Sequence, residues 1–267
     1  MANAKTRAVV DGDDFDINGQ KIWTSSAHFA DMNFLLCRTE PKAPKHKGLS
    51  YLLVPMDSPG VEVRPLVTMT ERPEFNETFF TDVRVPRDQI VMGRGDGWKA
   101  AIAALKHERV MLGDTNKQVQ RFQGIQEMMR ETLIDGTPII GIPEYRDRLL
   151  RLQAEVLAAK YHHMRMLTIY DKGEEPGVAG LIVKYNATML NHRLTALAID
   201  VLGEAGLPYD PHEMGDDDPA TTWNIDYMYD IGRIIGGGTS QIQKNIISER
   251  GLGMPREPKA IVAAGGS

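Results

Sequence analysis

The chain has 267 residues, 31 Lys+Arg against 36 Asp+Glu for a net charge of −5, and 42% hydrophobic residues. At roughly 100 to 200 residues per domain, this allows one large domain or two ordinary ones with a core that needs no staples. The acidic balance argues against nucleic acid, no apolar run approaches the roughly 18 to 20 residues that span a bilayer, and the single cysteine, Cys37, excludes an internal disulfide or a cysteine-based zinc cluster.

The opening MANAKTRAVV carries no apolar h-region of a secretory signal, so a cytoplasmic protein is expected. Roughly the first ninety residues are punctuated by turn chemistry and carry short β-branched and aromatic runs, as antiparallel strands do. Strands are predicted at Thr6 to Val10, Phe15 to Ile17, Gln20 to Thr24, Met32 to Arg38, Leu49 to Val54, Val61 to Pro65 and Thr78 to Val85. Asn18-Gly19 between two of them predicts a two-residue hairpin. After the glycine-rich Met92 to Gly97 the apolar period changes from two to about 3.6, which puts a domain boundary there.

Asp96 is placed to cap a proline-free helix from about Gly97 to Leu133. Asp135 to Pro138 breaks it. A second helix is predicted from about Glu144 to Lys172, with Pro143 near its first turn, and a third from about Ala179 to near Gly203. Pro208 to Thr221, including Asp216-Asp217-Asp218, reads as a polar surface loop, since the triplet lacks the glycine and distal glutamate of a calcium loop. A last helix is predicted from Ser240 to Arg250, followed by a frayed tail from Pro255. The fold class is therefore α+β: a β domain over 1–95, an antiparallel four-helix bundle over 96–256 and a flexible tail over 257–267.

On the first long helix, Trp98, Ala101, Ile102, Leu105 and Leu112 form an apolar stripe, and Glu108 falls about 20° from Ala101 on that face. No lysine or arginine stands three or four positions from it. A buried Glu–Arg network with Arg109 and a general base with a raised pKa both satisfy that placement. Gly236-Gly237-Gly238-Thr239 reads equally as a tight helix start or as backbone N–H donors for an anion or carbonyl oxygen. Trp23, with Thr24, Ser25 and Ser26, ends a strand with a ring and hydroxyls able to meet a flat heterocycle; a core tryptophan beside a turn is the plainer reading. His162 and His163 point about 100° apart on a helix and read as structural, and no metal site is expected.

These segments, in order, resemble the acyl-CoA dehydrogenase family. The resemblance is carried by Asn18 to Ser25, Ala30-Asp31, Cys37-Arg38-Thr39, Asn76 to Pro86, Gly97-Trp98, His107-Glu108-Arg109 and Gly238 to Gln243. It implies a β domain followed by a four-helix bundle, with FAD as cofactor, an acyl-CoA thioester as substrate and an electron-transfer flavoprotein as oxidant. The family's N-terminal helical domain has no counterpart before Arg7, so that domain is expected to be absent. In the family a glutamate takes the α-proton of the thioester while the β-hydrogen leaves as hydride to flavin N5. The position that usually carries this base is Gly237 here, whereas Glu108-Arg109 stands where members resembling isovaleryl-CoA dehydrogenase carry it. The resemblance thus assigns Glu108 as base and Arg109 as the residue that fixes it. It gives Gly237, beside Gly238, a backbone donor to the thioester carbonyl, and makes Trp23, Ser25, Thr239 and Gln241 contacts to FAD.

Two departures bear on assembly. The family's Arg-x-x-Phe-Gly signature, which meets the FAD of a neighbouring subunit, is replaced by Thr137 to Gly141, and its Gln-x-x-Gly-Gly segment reads Asp200 to Glu204. An acidic pair would repel a pyrophosphate there. The expectation is therefore an acyl-CoA dehydrogenase chain of lipid metabolism in a homo- or hetero-oligomer with a paralogue. The alternatives are an incomplete or non-catalytic subunit of such a hetero-oligomer and a flavin-free oligomerisation scaffold.

Overall fold

The computed structural model describes residues 2–112, 115–207, 209 and 219–256, with side chains throughout except at 106–112 and 219–221. The chain divides into two compact units, 1–108 and 109–267. The division falls within a helix that begins just after the glycine-rich loop.

In the first unit seven strands form one sheet: β1 (Arg7–Asp11), β2 (Asp14–Ser25), β3 (Met32–Arg38), β4 (Leu49–Pro55), β5 (Val61–Leu66), β6 (Phe75–Pro86) and β7 (Ile90–Val91), in the order β5-β6-β2-β1-β3-β4-β7. Every neighbouring pair is antiparallel except β1 and β3, which run parallel and meet at Arg7 and Arg38, so the sheet is mixed. Alternate residues turn inward, and Phe15, Ile17, Leu35, Leu52, Val54 and Val83 are buried together.

The hairpin expected at Asn18-Gly19 is not there. The two-residue loop is Gly12-Asp13, between Asp11 and Asp14, with Gly12 at φ +60, and β2 runs unbroken through Asn18 and Gly19. Ile17 pairs with Val83 and Gly19 with Phe80, so β6 carries one residue more than β2 at this point. Asp82, at φ +51, occupies that bulge, and its N–H donates to the Asn18 side-chain oxygen at 3.1 Å. Gly19 is a close-approach glycine: at φ +142, a Cβ there would come within 2.7 Å of the Thr6 Cα. An Asn-Gly pair therefore marks a bulge here as readily as a turn.

The helix expected from Gly97 to Leu133 is two helices, α1 (Gly97–Leu112) and α2 (Asn116–Glu131). Gly113-Asp114-Thr115-Asn116 is a run of weak helix formers, and residues 113 and 114 lie outside the described residues. A short hairpin, β8 (Leu133–Ile134) and β9 (Thr137–Pro138), follows. Next come α3 (Pro143–Asp171), α4 (Gly177–Leu181), α5 (Val183–Leu202), α6 (Pro219–Ile235) and α7 (Ser240–Ile246), the last running into a π-helical turn, Ile247–Gly251. The expected third helix is thus split at Ile182 (φ −87, ψ −14), at the margin of the helical region.

The four packed helices are α2, α3, α5 and α6, with α5 against each of the others. The fourth member is therefore α6 rather than the helix after the glycines. Ile125, Met129, Leu194, Leu197 and Ala198 are fully buried in this core, and Trp223 packs on it from α6. Most of the expected polar loop, Pro208 and 210–218 with the acidic triplet, lies outside the described residues, as does the tail beyond Arg256.

Candidate functional site

The end of β2 is built around a second bulge. Lys21 pairs with Thr78 and Thr24 with Asn76, so here the extra residue is on β2. Trp23 lies in that bulge at φ +64, a conformation that costs a bulky residue about 1 to 3 kcal/mol and persists only where neighbours impose it. The neighbours are visible. Asn76, fully buried, donates its side-chain N–H to the Thr24 carbonyl at 3.0 Å, and the Ser26 N–H donates to Glu74 O at 2.9 Å. The Phe75 ring meets the indole edge-on at 5.7 Å. The result is an indole that is 61% exposed beside an exposed Ser25, so the core-tryptophan reading fails. Such a ledge exposes a flat π surface able to stack on a heterocycle, with an exposed hydroxyl two residues along the strand.

In the second unit, α6 ends in the turn Gly236–Gly238 that feeds α7. Thr239 caps α7, its Oγ1 accepting the Ile242 N–H at 3.3 Å. Gln241 is exposed at the start of that helix. Under the turn lies Lys184 of α5, 1% exposed, whose Nζ donates to Ile234 O at 2.9 Å and Gly238 O at 2.7 Å. Burial lowers the Lys184 pKa from its ordinary 10.5. Gln243, also buried, donates its side-chain N–H to Gly237 O at 3.2 Å. The sequence reading missed Lys184, although a signal existed: it shares a helical face with Ala187, Thr188, Thr195 and Ala198, all buried.

Glu108 and Arg109 lie in the last turns of α1, and their side chains are outside the described residues. On the expected stripe Ala101 is buried, whereas Ile102 is 51% exposed, so the buried face is narrower than the sequence pattern implies. In the acidic segment at the end of α5, the half-exposed Asp200 carboxylate accepts a hydrogen bond from Arg148 at 2.6 Å. Glu204 stays exposed. His162 Nε2 lies 3.0 Å from Ala179 O, a link between α3 and α4 that matches its structural reading. Among the described residues no group of three potential ligands could hold a metal ion.

Comparison with known proteins decides the family. The acyl-CoA dehydrogenase middle-domain model matches residues 1–83 and the C-terminal-domain model matches residues 95–252. The chain belongs to the acyl-CoA dehydrogenase family. It is 38% identical to acyl-CoA dehydrogenase IpdE1 of Mycobacterium tuberculosis, across 97% of this chain and 64% of that protein. To acyl-CoA dehydrogenase FadE29 of the same organism it is 32% identical, across 97% of this chain and 66% of that one. Among solved structures, it resembles the Tcur3481-Tcur3483 steroid ACAD with a TM-score of 0.84 at 29% identity, covering 96% of this chain and 65% of that one. The ChsE4-ChsE5 complex from Mycobacterium tuberculosis gives a TM-score of 0.83 at 32% identity, covering 96% and 66%. The chain thus spans a little under two thirds of the length of these relatives. No described helix is long and apolar enough to cross a membrane.

Proposed function

We propose that this chain takes part in the FAD-dependent α,β-dehydrogenation of an acyl-CoA thioester. The observation that carries the proposal is Trp23: a strained, exposed indole beside an exposed serine contributes little to the unit's own core and suits a flat heterocycle. Trp23 and Ser25 would hold the flavin ring, and Thr239 and Gln241 would meet the rest of the cofactor; none of the four is buried, which fits that use. FAD, when bound, supplies the acceptor for the β-hydrogen as hydride.

The remaining chemistry falls to the chain's own residues. Glu108 acts as the general base that removes the α-proton, and Arg109 fixes it. As the α-proton leaves, charge develops on the thioester oxygen, and the Gly237 N–H, beside Gly238, stabilises it. An electron-transfer flavoprotein is the proposed oxidant, and the protein is read as cytoplasmic. Residues 1–95 serve as the middle β domain and 96–256 as the bundle. A steroid-derived thioester is the first substrate to try, because the relatives of known structure include a steroid ACAD.

The working assembly is proposed to contain an acyl-CoA dehydrogenase paralogue. Two observations support it. Leu150, Leu157, Tyr161 and Met164 form an exposed apolar stripe along one face of α3, each 45% exposed or more, as an interface with another chain requires. The second is the segment Asp200 to Glu204, which carries no cation of its own for a neighbour's pyrophosphate: Glu204 is exposed, and the nearby Arg148 is paired with Asp200. That segment equally favours the reading of a supporting, non-catalytic subunit. Purification of the native complex, with its flavin absorption band and intact mass, tests the proposal. One FAD per pair of unlike chains is expected. Stoichiometric, submicromolar FAD binding to a homo-oligomer refutes the unlike-subunit arrangement, and an assembly without flavin refutes the dehydrogenase.

A further inference from the structure

The α6–α7 turn is held from below by two buried side chains. Lys184 Nζ grips Ile234 O and Gly238 O, at 2.9 and 2.7 Å, and Gln243 Nε2 grips Gly237 O at 3.2 Å. A trans peptide is planar, with its C=O and N–H pointing in opposite directions. Pinning the Gly237 carbonyl inward therefore turns the Gly238 N–H outward, and pinning the Gly238 carbonyl inward turns the Thr239 N–H outward. Among the described residues, no acceptor is recorded for either N–H. Gly238 tolerates this geometry because it lacks a Cβ, which would come within 2.7 Å of the Gln243 side-chain nitrogen at φ +101.

We infer that Lys184 is a positioning residue, which with Gln243 fixes the peptide planes of the α6–α7 turn so that the Gly238 and Thr239 N–H groups face the ligand. The inference rests on the reading of this turn as part of the flavin and thioester site. A lysine suits the task because its ammonium offers three donors on a flexible stem, and its charge lies at the C-terminal end of α6, where the helix dipole favours a cation. Among the described residues no carboxylate pairs with Lys184, and its ammonium donates to the two backbone carbonyls.

The test compares Lys184→Met and Gln243→Leu with the wild type, in the complex as purified, by two independent readouts. The first is backbone amide exchange of a peptide covering 232–246 against one covering the core of α5. The second is the dissociation constant for FAD. If Lys184 positions the turn, Lys184→Met speeds exchange across 232–246 and weakens FAD about tenfold, because binding must then order a turn that the lost charge-assisted hydrogen bonds had held. Gln243→Leu, which removes a neutral donor, shows a smaller shift in the same direction and keeps the test open if Lys184→Met folds poorly. Unchanged exchange overturns the clamp, and faster exchange with unchanged FAD affinity overturns the positioning role. A wild-type complex that takes up no FAD refutes the flavin reading instead, and with it the role toward a ligand, while the exchange arm still decides whether Lys184 holds the turn.

Discussion

Replacing Arg121 with methionine should destabilise the chain by about 3 kcal/mol, far more than any surface ion pair would. Arg121 of α2 is 10% exposed at its side chain and reaches α6 with both ends of its guanidinium, Nη1 to Asp230 at 2.9 Å and Nη2 to Asp226 at 2.8 Å. Asp230 is wholly buried, so the substitution leaves a charge in the core with Arg233 at 3.3 Å as its remaining cation. Breaking a buried pair costs about 3 to 5 kcal/mol, and the surviving Arg233 puts the expected loss at the lower end. For a unit of this size that corresponds to a midpoint lowered by about 6 to 12 °C. The exposed Arg151–Asp147 pair is the control: Arg151→Met should cost about 0.2 to 0.5 kcal/mol.

The loss should also depend on pH. Burial raises the Asp230 carboxyl above its usual 3.8, against the pull of Arg121 and Arg233 and with a smaller push from Asp226. A carboxyl raised on folding contributes stability that is complete below its unfolded pKa and lost as pH rises through its folded one. Removing Arg121 raises the folded value further, so the deficit should widen between about pH 4 and pH 7. Thermal melts of the full chain at both pH values measure it. Adding Asp230→Asn to Arg121→Met should recover part of the loss. A single-variant cost below about 1 kcal/mol, the same at both pH values, would refute the reasoning.

Other outcomes follow from the same physics. Cys37, fully buried between β1 and β4 on β3, has its thiol pushed up to about 12 by burial, against a smaller opposing effect of Lys21, so roughly one molecule in ten thousand carries a thiolate at pH 8. A thiol reagent should label it only after denaturation; rapid labelling of the native chain would contradict its burial. Charging the α3 stripe with Tyr161→Glu and Met164→Glu should reduce the mass of the assembly in light scattering and leave the melting of the subunit nearly unchanged, and an unaltered mass would show that α3 faces solvent.

The strands β1 to β6 were legible from alternating apolar residues between turn residues, and Met32 to Arg38 coincides with β3 residue for residue, whereas β7, β8 and β9, of two residues each, are too short to show a period. The bulges were not, since a single extra residue such as Trp23 or Asp82 leaves local composition unchanged and is defined only by the partner strand. The interruption at Thr115 and the whole of α6 were lost for a different reason. Periodicity finds apolar faces but locates their ends poorly where Gly, Asp and Thr cluster, and the polar run before Pro219 hid the start of the fourth bundle helix. At the site, Trp23 and the glycine turn stood out as residue types. Lys184 did not, because a lysine in a helix reads as solvated until its carbonyl partners, some fifty residues away, are brought to it.

Glu108 is the proposed base. Glu108→Gln keeps size and polarity but cannot take the α-proton, so it separates catalysis from binding. Rapid mixing of the flavin-loaded assembly with a steroid-derived or fatty acyl-CoA, followed at the flavin absorption band, measures the step directly. The account predicts that the variant retains its FAD and reduces it about 10² to 10⁴ times more slowly than the wild type. Equal rates of flavin reduction in the two proteins would contradict it.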